Sequence, residues 1–409
     1  MSNNQLLMWS LNIPYFEDIK EFSRLIGLSS SLLYCLSNQT ENYYKHKDLP
    51  KKNGGFREIC IPSYSMRIVQ KWILINIIEK LKPSKNAMAF RKSTQDQRFD
   101  IKQNAFYHSN SLYGLTIDLK DFFPSITSKM VFSLFKKVGY NNFAAQILTN
   151  ICTLDGSLPQ GAVTSPALSN LICIRLDNRL EGLCKKREIL YSRYADDMFF
   201  SCDNKVLLLR FFPIIETIIT SEGFIINEKK VHFQTRKNRR LITGVIVTYN
   251  KDNPELKAPR EFKKKIRAEI FKSIMSGDYT DLYHIRGEIA HVCFIEGKEY
   301  LDKIKKYISS TAKKIEYYPE LVDKYNNHLF YSDIFKIQSV PLSEFRVKAR
   351  LDKYNPNLED ELTCQTLIEM RQQRKVFLEK NGLDDICEYL GWPELSSIEN
   401  DSIDEELPF

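Results

Sequence analysis

Hydrophobic residues along the chain follow two spacings, one typical of strands and one typical of helices. Between residues 41 and 62, β-favouring residues flank a Lys51-Lys52-Asn53-Gly54-Gly55 segment, and the Asn-Gly-Gly turn signal predicts a β-hairpin. Apolar side chains at Val69, Ile73, Ile77 and Leu81 recur at helical spacing and predict a helix over residues 66–81. Further strands are predicted at residues 112–118, 224–226 and 240–248, and further helices at residues 15–37, 124–138, 164–185, 206–222 and 260–314.

The order of these elements predicts the fold class. Strands and helices are mixed up to about residue 250, and mostly helical, basic sequence follows. This arrangement indicates an α+β body with a helical C-terminal region. Pro166 is acceptable in the first turn of its helix, whereas Pro213 is expected to kink or split the helix over residues 206–222.

Size and composition narrow the class of protein. The chain has 409 residues, of which 43% are hydrophobic, enough for two or three domains or subdomains. No apolar run approaches the roughly 20 residues of a membrane helix, and the N-terminus lacks the pattern of a signal peptide. Nine cysteines occur without a CxxC pair, which favours reduced thiols over zinc ligands or disulfides. We therefore expect a cytoplasmic protein without membrane segments.

The distribution of charge indicates a polyanionic partner. The net charge is +8, but the last fourteen residues hold five acids and no base, so the preceding residues carry +13. These basic residues are interleaved with 21 Tyr and 25 Phe, a composition suited to pairing with phosphates and stacking on bases. The charge therefore favours nucleic acid as the partner. A basic protein that its lysines keep in solution is the alternative.

Three acidic residues are candidates for catalysis. Asp196 and Asp197 follow Tyr194-Ala195 inside an apolar, β-prone stretch, so the pair is expected at the tip of a hairpin. Buried carboxylates need a compensating cation, and a divalent metal that orients phosphates is a natural one. A solvated Asp-Asp turn is the alternative. Asp118 lies at the end of a predicted strand. Asp121 is a competing candidate ligand, but a role near the N-terminus of the helix that it begins is favoured for it.

A loop at residues 157–166 lies between these acids in the sequence. In it, Gly161 permits close approach of the backbone to a ligand, and Gln160 offers an amide for polar contact. A plain loop before a helix has similar residues. The order is more specific than any one element: aspartate strand, Pro-Gln-Gly loop, Asp-Asp hairpin, and then the segment Gly223-Phe224-Ile225-Ile226-Asn227-Glu228-Lys229-Lys230.

In this order of motifs the chain resembles the reverse transcriptases, over roughly residues 15–315. The resemblance implies that Asp118, Asp196 and Asp197 are the metal-binding acids of a polymerase palm. Phe123 matches the aromatic that lies beneath the incoming sugar and excludes a 2′-hydroxyl. Gln160 and Gly161 match the loop of the nucleotide pocket, Lys230 matches a lysine that assists the leaving pyrophosphate, and Arg57 resembles the residue that grips the triphosphate. Lys51 and Lys52 lie near Arg57 and compete for that role.

Two further segments resemble signatures of the retron reverse transcriptases. Asn104-Ala105-Phe106-Tyr107-His108 matches NAxxH, and Ile242-Thr243-Gly244 resembles VTG with Ile in place of Val. RNA contact by Asn104, His108, Thr243 and Gly244 is one interpretation. The alternatives are a satisfied structural histidine, a local backbone turn at Asn104, and a tight strand-to-helix connection at Thr243-Gly244.

The retron resemblance implies a fold and a function. The fold is a right-hand polymerase with N-terminal helices and fingers (1–110), palm (111–250), helical thumb (251–317) and a C-terminal extension (318–409). The implied enzyme is an RNA-directed DNA polymerase that uses two Mg²⁺ ions and dNTPs. Its template and primer would be its own structured noncoding RNA, its product a branched RNA–DNA hybrid, and its setting anti-phage defence with an effector protein.

Two other functions fit parts of the sequence. Another bacterial reverse transcriptase, of a different defence type or of the group II intron type, shares the palm motifs, although no Cys/His endonuclease module of the intron kind is recognisable. A catalytically inactive RNA-binding scaffold is the second, and the three intact aspartates argue against it.

Overall fold

The computed structural model describes residues 3–51, 54–94, 97–235, 240–248, 254–276 and 281–312. The helices are α1 Asn3–Ser10, α2 Ile19–Ile26, α3 Ser30–Asn38, α4 Tyr64–Asn76, α5 Ile101–Tyr107, α6 Phe122–Ser125, α7 Ser128–Val138, α8 Asn142–Cys152, α9 Ser165–Ile172, α10 Ile174–Lys185, α11 Lys205–Ser221, α12 Arg260–Ser276, α13 Leu282–Glu296 and α14 Glu299–Ala312. The strands are β1 Tyr44–Pro50, β2 Phe56–Pro62, β3 Tyr113–Lys120, β4 Leu190–Tyr194, β5 Asp197–Cys202, β6 Ile225–Ile226, β7 His232–Thr235, β8 Arg240–Ile242, β9 Val245–Thr248 and β10 Glu255–Lys257.

The described residues fall into two compact units. One contains residues 16–36, with α2 and most of α3, and the other contains the rest of the described chain. In the smaller unit, Asp18 caps the N-terminus of α2 and Gly27 ends it in the left-handed conformation. The larger unit holds all the described strands, and its mixture of helices with antiparallel sheets confirms the α+β class.

The first hairpin forms where the sequence predicts it. Strands β1 and β2 pair antiparallel in a continuous register from Tyr44 opposite Pro62 to Pro50 opposite Phe56. The amide of Lys51 donates to the carbonyl of Gly55 at 2.9 Å and closes the hairpin end. Lys52 and Asn53, at the centre of the predicted turn, lie outside the described residues.

The main sheet brings the three candidate acids to one place. Its strand order is β4-β5-β3, and β6 and β7 both pair with the other edge of β3, all antiparallel. In this register Asp118 of β3 lies directly opposite Asp197 of β5. Directly opposite positions in an antiparallel pair place their Cβ atoms about 5 Å apart. The fold therefore joins residues that are far apart in the sequence.

A fully buried ion pair fixes the β4–β5 hairpin to the helices behind it. The guanidinium of Arg193 on β4 donates to both carboxylate oxygens of Asp177 on α10, at 2.9 and 2.8 Å, and both side chains are completely buried. The same guanidinium donates to the Asn170 side chain at 3.1 Å and to the carbonyl of Ala195 at 3.2 Å. The hydroxyl of Tyr191 donates to Asp177 at 2.8 Å. This network ties the turn that carries Asp196 to α9 and α10.

A second sheet and three helices share one apolar core. Strands β8, β9 and β10 form an antiparallel sheet in sequence order, and α12, α13 and α14 pack with it. Its buried residues include Ile242, Val245, Val247, Ile266, Ile270, Ile285, Ile289, Val292, Ile304 and Ile308, joined by Ala105 of α5 and Phe199 of β5. The helical prediction for residues 260–314 is therefore confirmed over its described part.

Several predicted boundaries are wrong in informative ways. Residues 240–248 form the β8–β9 hairpin and not one strand, because Thr243 and Gly244 both have positive φ and reverse the chain. The segment predicted as one helix at 124–138 is divided between α6, which ends at Ser125, and α7, which begins at Ser128. Thr127 is the N-cap of α7 and accepts from the amide of Met130. The segment 164–185 holds two helices that meet at Cys173, whereas α11 contains Pro213 without being split.

Two absences follow from the described elements. Among them, no helix combines the length and the apolar content that crossing a bilayer requires. The seven cysteines in the described segments are all free thiols. The whole C-terminal extension (318–409) lies outside the described residues.

We predict that Asp177→Asn strongly destabilises the fold. The substitution leaves the Arg193 charge buried without its counter-ion, and breaking such a pair costs about 3–5 kcal/mol. Unfolding in urea measures the loss. Glu79→Gln is the matched control, because its partner Lys92 is 83% exposed and the loss of this pair should cost less than about 1 kcal/mol. Equal losses in the two variants would contradict the assignment.

Candidate catalytic site

A tight turn presents the two adjacent aspartates. Tyr194 and Asp197 are the last paired residues of β4 and β5, so Ala195 and Asp196 alone form the loop. Ala195 has a φ of +59°, the left-handed conformation that two-residue hairpin loops require at their first position. This conformation is strained for a residue with a side chain. The Arg193 guanidinium holds it by donating to the carbonyl of Ala195.

The three carboxylates lie close enough to disturb one another. The amide of Leu119 donates to the carbonyl of Asp196 at 3.0 Å, which ties the turn to the end of β3 beside Asp118. Burial, followed by the charges of Asp196 and Asp118, raises the pKa of Asp197 to about 7. Burial and the charge of Asp118 also raise the pKa of Asp196. The cluster therefore holds more negative charge than its own surroundings compensate.

Asp118 has two partners on the segment that follows β6. Lys230 Nζ donates to one carboxylate oxygen at 2.7 Å, and Asn227 Nδ2 donates to the other at 2.9 Å. The hydrogen bond with Asp118 raises the pKa of Lys230, so the ammonium stays charged. The Asn227 amide also donates to the Asp118 carbonyl at 2.8 Å. Asn227 had no role assigned from the sequence, and its place just after a two-residue strand is the signal that could have found it.

The donor set fits divalent cations. Carboxylate oxygens are the ligands that Mg²⁺ prefers, and closely spaced acids with raised pKa values mark a site where a cation removes repulsion. Lys230 supplies one positive charge, and its side chain is more than half exposed and able to move away. Asp121 stands apart: it is exposed, has a φ of +47°, and begins α6 without a side-chain cap.

Two residues that the sequence predicts to contact the nucleotide, Arg57 and Phe123, lie on β2 and α6. Arg57 is exposed on β2, and its positive charge acts on Asp196 with that of Lys230 to oppose the rise in pKa. Phe123 lies half-buried in α6, with its ring 5.4 Å from that of Phe122 and 6.2 Å from that of Phe90. Phe90 is 44% exposed and has a φ of +58°. Sequence reasoning missed this second aromatic beside Phe123.

The Pro-Gln-Gly loop approaches the protein's own backbone. A Cβ at Gly161 would lie 2.5 Å from the carbonyl oxygen of Cys60 on β2, and Gly161 has a φ of +126°. The amide of Cys60 donates to the carbonyl of Gln160 at 2.8 Å. The close approach expected here is therefore made to strand β2 in this structure. Gly161 joins the loop to the first hairpin, and Gln160 remains half-buried beside it.

His108 is a buried structural residue. Burial and the charge of Arg240 lower its pKa to about 3, so the ring is neutral. Ser192 of β4 donates its proton to Asn104, so His108 Nε2 donates to Ser192 at 2.7 Å. The other ring nitrogen lies 2.7 Å from the hydroxyl of Ser201 of β5, within hydrogen-bond distance. The ring thus bonds both strands of the hairpin that carries the aspartates.

The two segments that resemble retron signatures contact each other. The side chain of Asn104 donates to Thr243 Oγ1 at 3.5 Å, and Thr243 Oγ1 donates to the carbonyl of Ile101 at 3.3 Å. Arg240 donates to the carbonyls of His108 and Ser109 at 3.1 and 2.6 Å. Asn104 and His108 are buried and use their polar atoms on protein neighbours, which leaves no surface for direct RNA contact; Gly244 is exposed at the turn. The turn at Thr243-Gly244 connects two strands, not a strand and a helix.

The fold and the carboxylate cluster together define the palm of a nucleic-acid polymerase. A model of the family described as reverse transcriptase (RNA-dependent DNA polymerase) matches residues 49–253. The retron Ec86 reverse transcriptase of Escherichia coli is 33% identical over 313 residues, which cover 76% of this chain and 94% of that protein. The retron Ec83 reverse transcriptase of Escherichia coli is 31% identical over 301 residues, which cover 70% of this chain and 93% of that protein.

The chain belongs to the retron-type reverse transcriptases. It is an RNA-directed DNA polymerase with the right-hand fold, and it uses a divalent metal to copy an RNA template into DNA. Among solved structures, a telomerase of Candida albicans in complex with a fragment of telomeric RNA aligns with a TM-score of 0.41 and 11% identity, over 85% of this chain and 66% of that chain.

We predict that Asp197→Asn stabilises the metal-free protein at pH 8 more than at pH 4.5. The folded-state pKa of about 7 exceeds the unfolded value, so the native state loses stability as pH rises towards 7 and the penalty is complete above it. Removing the ionisable group removes that penalty, with an expected rise in melting temperature of at least about 2 °C at pH 8. Thermal melts in EDTA measure it. The same shift at both pH values would refute the electrostatic origin.

We predict that Gly161→Ala costs more stability than Gly156→Ala. Both glycines have positive φ, but a Cβ at Gly156 meets open space, whereas one at Gly161 collides with backbone. Overpacking of this kind costs about 1–3 kcal/mol, in addition to the conformational penalty that each substitution carries at its own positive φ. Urea unfolding of the two variants gives the difference. Equal losses would mean that the loop does not need its contact with Cys60.

Proposed function

We propose that this reverse transcriptase holds two Mg²⁺ ions on Asp118, Asp196 and Asp197. The observation that carries the proposal is the convergence of these three carboxylates where β3 meets the β4–β5 turn, with the pKa of Asp197 raised to about 7 by burial and by its neighbours. When bound, the metal pair supplies activation of a primer hydroxyl and neutralisation of the pyrophosphate that leaves.

The residues around the acids support the division of roles that this reaction needs. Asn227 donates to Asp118 through both its side chain and its backbone, so it orients that carboxylate. Lys230 balances the charge of Asp118 at 2.7 Å and, once a cation takes that place, is positioned to turn its ammonium towards the leaving pyrophosphate. The carbonyl of Asp196, bonded to the Leu119 amide, keeps the turn from sliding along β3.

The nucleotide pocket is proposed on the side of the first hairpin. Arg57 would bind the triphosphate, a role supported by its exposure and by the reach of its charge to Asp196. Phe123 would lie beneath the sugar and exclude a 2′-hydroxyl, with Phe90 packed beside it. Gln160 and Gly161 would shape the pocket wall, because their loop is joined to the backbone of Cys60 in the same hairpin.

We divide the chain into fingers (1–110), palm (111–250), thumb (251–317) and C-terminal extension (318–409). The contact of Asn104 with Thr243 supports a tight connection of the first two parts. On the thumb, α12 exposes Lys264, Arg267 and Lys272, which suit the phosphates of an RNA stem. Of the four residues proposed for RNA contact, which are Asn104, His108, Thr243 and Gly244, the best placed is Gly244, because it lies at an exposed turn.

We infer that the template and primer are the enzyme's own structured noncoding RNA and that the product is a branched RNA–DNA hybrid primed from an internal guanosine 2′-hydroxyl. The identity to two retron reverse transcriptases over most of their length supports this assignment. An effector protein in anti-phage defence is the proposed partner, and residues 318–409 are its proposed docking region.

Purification of the chain with its bound nucleic acid tests the proposal. A branched RNA–DNA species should copurify with wild-type protein, and primer extension with dNTPs and Mg²⁺ should proceed. In Asp118→Asn we expect the rate of primer extension to fall by more than about 100-fold. This loss is larger than the one that follows when a residue that only hydrogen-bonds to a metal ligand is replaced. Asp121→Asn, three residues along and outside the cluster, is the matched control and should retain activity.

The two levels of the proposal have separate negative outcomes. Undiminished extension by Asp118→Asn would reject the assigned metal site. If the protein extends primers but copurifies only with heterogeneous cellular RNA, the polymerase assignment stands and the assignment of a dedicated RNA template is rejected.

A further inference from the structure

One face of the β1–β2 hairpin carries an unassigned group of metal-binding side chains. His46 and Cys60 are directly opposite each other in the strand register, and Glu58 lies two residues before Cys60. Because alternate residues of a strand share a face, the three side chains point to the same side of the hairpin. Their ligand atoms all lie within 4.8 Å of one another.

The spacing of these atoms suits a small tetrahedral ion. His46 Nδ1 lies 2.7 Å from Glu58 Oε1 and 3.9 Å from Cys60 Sγ. Ligands 2.0–2.3 Å from a tetrahedral zinc stand about 3.5 Å apart, and the two observed distances bracket that separation. Cys60 is buried whereas His46 and Glu58 are exposed, so the thiol forms the floor and a fourth position opens to water.

The charges on this face favour a cation. Asp48 is directly opposite Glu58 in the register and adds a second carboxylate to the same face. A comparable group in the thumb, formed by Glu269, His284 and Glu288, differs in this respect. There Lys265 Nζ lies 3.2 Å from Glu269 and 2.6 Å from Glu288 and already supplies a cation. Glu58 instead pairs with the imidazole of His46.

We propose that His46, Glu58 and Cys60 bind one Zn²⁺ ion, with water as the fourth ligand. Imidazole, carboxylate and thiolate together select a borderline-soft ion over Mg²⁺, which takes oxygen ligands. On binding, the three side chains replace water ligands of the hydrated ion, the Cys60 thiol releases its proton to solvent, and the His46–Glu58 hydrogen bond breaks. The proton that His46 Nδ1 shares with Glu58 moves through solvent to Nε2, so that Nδ1 of the neutral ring is free to bind the ion. No electron is transferred, so no oxidant or reductant is involved.

The site is coupled to the loop of the nucleotide pocket. Cys60 is the residue whose amide donates to Gln160 and whose carbonyl lies against Gly161. An ion bound to its side chain and to both strands therefore fixes the hairpin at the point where this loop docks. We expect Zn²⁺ to raise the melting temperature of the full chain without any substrate present.

Cobalt(II) titration of the full chain tests the site directly, because a cobalt–thiolate bond gives a charge-transfer absorption that oxygen ligands do not. The titration is done in excess Mg²⁺ to fill the carboxylate cluster, without template or dNTPs. Wild-type protein should develop the band at one equivalent, and Zn²⁺ should displace it. His46→Ala should weaken binding at least about 10-fold. Cys60→Ser should abolish the band, and His284→Ala, in the thumb group, should leave it unchanged.

The outcomes separate this site from the polymerase function. Absence of the band in wild-type protein, or its persistence in Cys60→Ser, would overturn the proposal, as would full affinity in His46→Ala. Glu58→Gln offers a second variant at an exposed side chain, should Cys60→Ser fold poorly, and weakened cobalt binding is expected. Polymerase activity enters none of these readouts.

Discussion

The geometry of the catalytic turn depends on one buried ion pair. Arg193 and Asp177 are excluded from solvent, and their mutual attraction raises the pKa of the guanidinium despite its burial. Because that guanidinium also holds the carbonyl of Ala195, the strained residue before Asp196 keeps its left-handed conformation. Isolated charges in an apolar interior are costly, so the network is stable only while the two charges remain paired. The buried Arg193–Asp177 pair thus determines the position and the conformation of the acidic turn.

Unlike the Arg193–Asp177 pair, the carboxylates at this turn interact unfavourably with one another. Burial and neighbouring charges act against ionisation of Asp196 and Asp197, so the fold assembles carboxylates at a cost in stability. Lys230 and Asn227 hold Asp118 while that repulsion persists. Proteins commonly carry such local destabilisation at functional sites, because a ligand relieves it. The palm is consequently rigid in its backbone and electrostatically incomplete in its side chains.

Local patterns predicted most of the elements, and the order of motifs along the chain singled out three acids that the fold brings together. The Asn-Gly-Gly turn gave the first hairpin, and the β-prone flanks of Asp196-Asp197 gave the second, since both signals are short-range. Long-range facts were out of reach. Nothing near Arg193 in the sequence shows that its partner is Asp177, and nothing near Gly161 shows that Cys60 lies against it. The hairpin at Thr243-Gly244 was missed because Thr rarely adopts positive φ, and here its hydroxyl bonds to α5.

The contact between α5 and the Thr243-Gly244 turn makes two distant segments one structural part. Asn104, His108, Arg240 and Thr243 share hydrogen bonds across more than 130 positions of sequence, and Ala105 joins the core beneath β8 and β9. Substituting one segment alone breaks bonds that the other needs. Chimaeras between relatives should therefore exchange both segments together, and random libraries at either one will yield folded members chiefly when the other is varied in step. In protein engineering, the two segments should therefore be treated as one unit.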